Sequence, residues 1–186
     1  ASAEQVLLDA TVQLPHSTKI QFGLGALYRK NGQSIKARQC YARLIEEYKE
    51  KPIGLEAKVK LAEMDFLEGK HADAERQVQE VLKENPRSTE GLILTGQMAL
   101  TRRSGKDAVQ AFRTVLHDQP ELAAVHYLLG QAYQLVGDIN LAKDSFERAV
   151  ILYPDQVDAK RSLALLESKS GRYQQARARL EELLKQ

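Results

Sequence analysis

Apolar residues recur at helical spacing along almost the whole chain, and the pattern is cleanest from Ala123 to Pro154. Leu129 and Tyr133 mark one stripe, and Ala142, Phe146 and Ala149 mark a second. Steps of three and four residues predict two amphipathic helices. Gly130 and Ala142 place small residues where the two helices must cross closely. Gly137 suits a left-handed helix end, Asp138 suits the cap of the next helix, and Pro154 stops it. Such a helix pair cannot bury both its faces alone, so it requires neighbours.

The neighbours follow at a period of 34 residues. One step back gives Gly96, Ala108, Phe112, Val115 and Pro120. Another gives Leu61, Ala62, Ala74, Val78, Val81 and Pro86, with Gly69 at the interhelical turn. One step forward gives Leu163, Ala164, Gly171, Ala176, Leu180 and Leu183. The first full repeat carries Leu24, Gly25, Tyr28, Gly32, Ala37, Tyr41 and Leu44, and its second helix runs three residues long, so the period slips between Tyr48 and Gly54. Ahead of it, Ala3-Leu7-Ala10-Pro15 fits the second helix of a repeat whose first helix is missing. The reading is one array over 1–186, with a half-repeat at 1–17 and full repeats at 18–54, 55–88, 89–122, 123–156 and 157–186.

The order Leu129-Gly130, Tyr133, Ala142, Phe146, Ala149, Pro154 resembles the tetratricopeptide repeat, with His126 where that pattern most often has Trp. The resemblance implies an all-α fold, a right-handed superhelical solenoid of helix-turn-helix repeats with about eleven helices, its first helices lining a concave side. The style of the second helices and the ending GRYQQARARLEELLKQ also resemble multi-repeat proteins of the bacterial cell envelope, which implies a soluble protein leaning to the periplasmic side, with the cytoplasm as the alternative.

Composition narrows the partners. The chain is 43% hydrophobic, has no Trp, and balances 27 basic against 25 acidic residues for a net charge of +2. No global field advertises a nucleic-acid partner. No apolar run approaches the roughly 20 residues needed to cross a bilayer, and no secretory signal opens the chain, so no direct membrane insertion is expected. The last helix, reaching toward Gln186, carries Ala176, Leu180, Leu183 and Leu184 with no further helix to cover them, and Val6, Leu7 and Leu8 lack a partner at the other end. The expectation is a piece of a longer array that associates end to end.

A search for chemistry finds none. The single Cys40 reads as a small, partly buried residue and rules out an internal disulfide. His16, His71, His117 and His126 are scattered, without the i, i+4 pairing of a helical metal site. His16 and Ser17 fall in a turn where Ser17 caps the following helix, His71 falls in an interhelical turn, and His117 lies near a helix end. No phosphate loop, dinucleotide fingerprint or nucleophile elbow occurs. No catalytic, metal or cofactor-binding residues are expected, and the chain reads as a non-enzyme.

What remains is binding. Helical phase places Lys19, Phe22 and Arg29 on the first-helix face of the first repeat, and Val59, Lys60, Glu63, Phe66 and Leu67 on that of the second. Ile93, Leu94, Gln97 and Leu100 follow, then Tyr127, Leu128, Gln131, Gln134 and Leu135, then Arg161, Leu165 and Lys169. About half of Leu67, Leu94, Leu128 and Leu135 is expected to be core. The binding groove is assigned to Phe66, Ile93, Gln97, Leu100, Tyr127, Gln131, Gln134 and Arg161. Contiguous apolar surface of this kind marks interaction sites. The Lys/Asn/Arg clamp by which related repeats capture acidic C-terminal tails is not matched, since only Lys60 fits, beside Glu63. The leading expectation is a scaffold for a peptide or helix of a protein partner. The alternatives are a self-associating spacer and the regulatory part of an enzyme outside this chain.

Overall fold

Three of the predicted helix pairs form around a crossing in which an aromatic ring lies over a glycine. The computed structural model describes residues 3–14 and 16–184. Among them are eleven helices: α1 (Ala3–Gln13), α2 (Thr18–Lys30), α3 (Ser34–Tyr48), α4 (Pro52–Leu67), α5 (His71–Glu84), α6 (Thr89–Thr101), α7 (Gly105–Asp118), α8 (Ala123–Val136), α9 (Ile139–Leu152), α10 (Val157–Lys169) and α11 (Tyr173–Leu183). No strand occurs among the described residues, and the all-α expectation holds. Pro15 and Gln186, on which two of the helix-end expectations fell, lie outside them.

The chain divides into two compact units, Ala1–Gly91 and Leu92–Gln186. In the first, Leu24, Tyr28, Ala37, Tyr41, Leu44, Ala57 and Met64 form a buried core, with Leu7 and Phe22 packed on its edge. In the second, Ala99, Ala108, Phe112, Val115, Val125, Leu129 and Ala132 form one core cluster, and Ala142, Phe146, Leu163 and Leu166 another. The ring of Tyr41 covers Gly25, that of Phe112 covers Gly96, and that of Phe146 covers Gly130, so any side chain at those glycines meets an aromatic carbon. The periodic small residues of the sequence are therefore ring seats.

Within each of the five full repeats, the turn between the two helices passes through a residue with positive φ. Four of them, Gly32, Gly69, Gly137 and Gly171, are glycine, as the pattern predicts, but the third repeat uses Arg103, at φ 59°. Asp138 caps α9 as expected, its carboxylate accepting from the Leu141 amide at 3.1 Å. Ser17 occupies the cap position of α2 without a side-chain cap, its carbonyl instead accepting from the Ile20 and Gln21 amides. His71 is not in the turn but opens α5, with its ring 5.2 Å from that of Phe66. The slip after the first repeat is a tight bend at Lys49, φ 47°, before Pro52 starts α4.

Two repeats replace the apolar crossing with a polar one. Asp65 on α4 is 6% exposed, accepts from Arg38 Nη2 at 2.6 Å and from Gln77 Nε2 on α5 at 2.7 Å. At the corresponding place in the last repeat, buried Glu167 on α10 takes both arms of Arg179 on α11, at 2.9 and 3.2 Å. The intervening repeats carry Ala99 with Ala111, and Tyr133 with Ser145, at these positions.

Candidate partner-binding surface

The second unit holds the candidate surface. Helices α6, α8 and α10 carry residues in the same phase, so Gln97, Gln131 and Leu165 share one row, and Leu100 and Gln134 share the next. A concavity of about 460 Å³ opens where these rows reach the α8–α9 turn, lined by Leu100, Gln131, Gln134, Leu135, Ile139, Leu165, Leu166 and Lys169. Its walls are apolar and partly open to water: Leu165 is 51% exposed, Ile139 45% and Leu135 36%. Lys169 is the one charged group in this lining, and no carboxylate belongs to it.

Three of the eight expected groove residues, Leu100, Gln131 and Gln134, thus come together. Tyr127 joins them through its hydroxyl, which accepts from Gln131 Nε2 at 2.8 Å. Its ring packs 5.7 Å from that of Phe146, and it bonds with Ser162 beside Asp158 and Arg161. Burial and the Asp158 carboxylate push the Tyr127 phenol up, against the opposing pull of Ser162, Arg161 and Gln131. Tyr127 is therefore a strut between α8, α9 and α10 that orients the Gln131 amide. Ile93 is half-buried on the unit's core, and Gln97 is half-buried. Arg161 is exposed and pairs with Asp158 at 3.3 Å. Phe66 belongs to the first unit, against His71.

Of the residues with divided expectation, Leu94 is 2% exposed and Leu128 packs on the core, whereas Leu67 and Leu135 stay open. Val59, read as a surface position, is buried at 3% exposure. Ile139 and Leu166 were not among the expected groove residues. Ile139 begins a second helix, where the phase of first helices gives no signal. Its one sequence clue is an apolar residue directly after the Gly137-Asp138 turn.

The histidines show no shared site: His126 Nε2 lies 2.9 Å from the Pro120 carbonyl, His117 pairs with Asp118, and His16 lies 3.6 Å from Glu47. Among the described residues no cluster of His, Cys, Asp or Glu has the geometry to hold a metal ion. No helix among them is long and apolar enough to cross a membrane.

Comparison with known proteins agrees with this architecture. Three tetratricopeptide repeat profiles match residues 20–50, 68–123 and 123–156. MamA from Desulfovibrio magneticus RS-1 superposes with a TM-score of 0.73 at 18% identity, covering 91% of this chain and 94% of that one. Another crystal structure of MamA gives 0.70 at 20% identity, covering 87% and 93%. The human protein O-mannosyl-transferase TMTC1 is 25% identical over 177 residues, which are 93% of this chain and 20% of that protein. The chain thus spans about a fifth of the length of that relative. Repeats and fold together support a protein–protein interaction scaffold. With its repeat glycines, rings and turns in register and the profiles spanning more than half of it, the chain belongs to the tetratricopeptide repeat family.

Proposed function

We propose that the chain is a non-catalytic scaffold that seats a peptide or helix of a protein partner in the concavity of its second unit. The observation that carries this reading is the juxtaposition of open Leu135, Ile139 and Leu165 with the amides of Gln131 and Gln134. Apolar walls supply desolvation energy, and two side-chain amides in adjacent positions hydrogen-bond a backbone without selecting a charge. The test is a peptide-display selection against the full chain, followed by titration of the selected peptides. Leu165→Asp should weaken binding by about tenfold or more with unchanged thermal unfolding, whereas Lys169→Gln should cost less than about fivefold and flatten the salt dependence. If Lys169→Gln were the more damaging change, or Leu165→Asp bound like the parent, the concavity would not be the binding site.

The exposed faces of the outer helices favour a second reading, an assembly element. Tyr173, Leu180 and Leu184 on or next to α11 are 69%, 44% and 86% exposed, and Val6 and Val12 on α1 are 55% and 84% exposed. Sedimentation equilibrium of the full chain with and without Leu180→Glu decides whether these faces associate.

A further inference from the structure

The concavity of the second unit lies between two edges of opposite charge. Helices α6, α8 and α10 all end beside it, since Leu100, Leu135 and Lys169 belong to its lining. The turns that follow stay close. The Arg103 amide donates to the Leu100 carbonyl at 3.0 Å, and a β-carbon on Gly105 would stand 2.9 Å from that of Leu135. This turn edge carries exposed Arg103, Lys106, Lys169 and Arg172. The carboxylates nearest in sequence are engaged: Asp107 accepts from the Ser104 hydroxyl at 2.6 Å, and Asp138 caps α9. Helices of 13 and 14 residues place the starts of α10 and α8 about 20 Å away. That far edge carries exposed Glu121, Asp155 and Asp158, of which Asp158 pairs with Arg161.

Helix dipoles favour acid at a helix start and base at its end, which accounts for Asp158 and Lys169. They do not account for Arg103. It lies beyond the end of α6 at φ 59°, in a turn that the other four repeats make with glycine. The left-handed conformation is unfavourable for a residue with a side chain, and such outliers gather where a side chain has work to do. Neither Arg103 nor Lys169 forms an ion pair among the described residues. A guanidinium thus stands beside an apolar concavity, in a strained turn, with no carboxylate of its own chain to meet it.

We propose that the concavity receives its partner segment in one direction, with an aliphatic stretch on Leu135 and Leu165 and the acidic side chains that flank it against Arg103 and Lys169. This rests on the groove reading above and adds the chemistry and polarity of the partner. At the far edge Glu121, Asp155 and Asp158 repel the same flank. The cations set direction more than strength. One exposed ion pair contributes up to about fivefold in affinity, while the apolar walls carry most of the rest.

The test uses the full chain and the peptides selected on it, trimmed to their aliphatic core and amidated at the C terminus. Each is made with three aspartates at one end, three at the other, or serines at both, and titrated by fluorescence anisotropy at low salt. Aspartates at one end should tighten binding about five- to tenfold over serines, and aspartates at the other should not. Arg103→Gly combined with Lys169→Gln should abolish that gain and leave the serine-flanked peptide unchanged. Arg103→Gly relieves the strained turn, so a weaker gain in that variant does not come from a weaker fold. A spin label on the favoured aspartate end should broaden the amides of Gly137 and Gly171 more than that of Ala124.

Equal gains from either end, no gain from either, or a double variant that binds the aspartate peptide like the parent would each overturn the direction. So would a serine-flanked peptide with a free C terminus that matches the aspartate peptide, since the cations would then take a chain end. Leu165→Asp keeps the two readings apart. If it weakens every peptide while the flank has no effect, the groove stands and the direction falls. If it weakens none, or the selection yields no peptide, both fall.

Discussion

A β-carbon on Gly130 would stand 2.5 Å from the ring of Phe146, closer than any real contact of its kind. Phe146 is fully buried, so its ring has nowhere to retreat. Gly130→Leu should therefore cost on the order of 1–3 kcal/mol through overpacking, read as a lowered urea midpoint. Gly130→Leu with Phe146→Leu should recover part of that loss, since the smaller side chain vacates the seat. An unchanged midpoint in the single variant would show that the crossing is looser than the structure has it.

The crossing was legible in the sequence because it depends on local spacing alone: Gly130, Ala142 and Phe146 recur with Gly96, Ala108 and Phe112 at the same interval. The Gly137 turn and the Asp138 cap were legible for the same reason. The groove was less so, because first-helix residues of one phase face either a neighbouring helix or water, and periodicity is identical for both. Buried Val59 and Leu94 differ in no local way from open Leu67. Tyr127 shows the other limit. Its spacing marks it as an exposed anchor, but its bonds to Gln131 and Ser162 come from α8 and α10 together.

That strut role changes what its removal does. Tyr127→Ala should cost about 2 kcal/mol of folding stability, a half-buried share of an aromatic truncation, before any effect on a partner. Tyr127→Phe should keep the ring packing and lose about 1 kcal/mol with the hydroxyl bonds. Comparing the thermal unfolding of the two separates ring from hydroxyl.

Arg103 pays for a left-handed turn that its four counterparts make with glycine. The conformation costs a side-chain-bearing residue about 1 kcal/mol. Arg103→Gly should accordingly hold or raise the melting temperature, and Gly137→Ala, at φ 89°, should lower it. The opposite signs are the measurement to seek, by calorimetry under one buffer.

Acid should loosen the first unit through Asp65. Burial alone would raise its carboxyl, but the bonds from Arg38 and Gln77, with the nearby Lys70, hold it below the usual carboxylate value. A depressed folded-state value means the contribution is present above about pH 4 and is lost as the pH falls through that lower value. Urea midpoints at about pH 7 and pH 3.5 should differ more for the parent than for Asp65→Asn, which has no such proton to gain.

The polar crossings also bear on how a chain of near-identical helix pairs finds its own pairing. A second helix that docked one repeat away would meet almost the same apolar stripe. Were α7 to lie under α4, however, Asp65 would face Ala111 in place of Gln77, and a buried carboxylate would lose a donor. Were α9 to lie under α10, Glu167 would face Ser145 in place of the two-armed Arg179. Losing a partner of a buried charge costs more than a misfitted methyl group. Asp65 and Glu167 thus act as addresses, directing α5 and α11 to their own first helices while the alanine and aromatic seats hold them there.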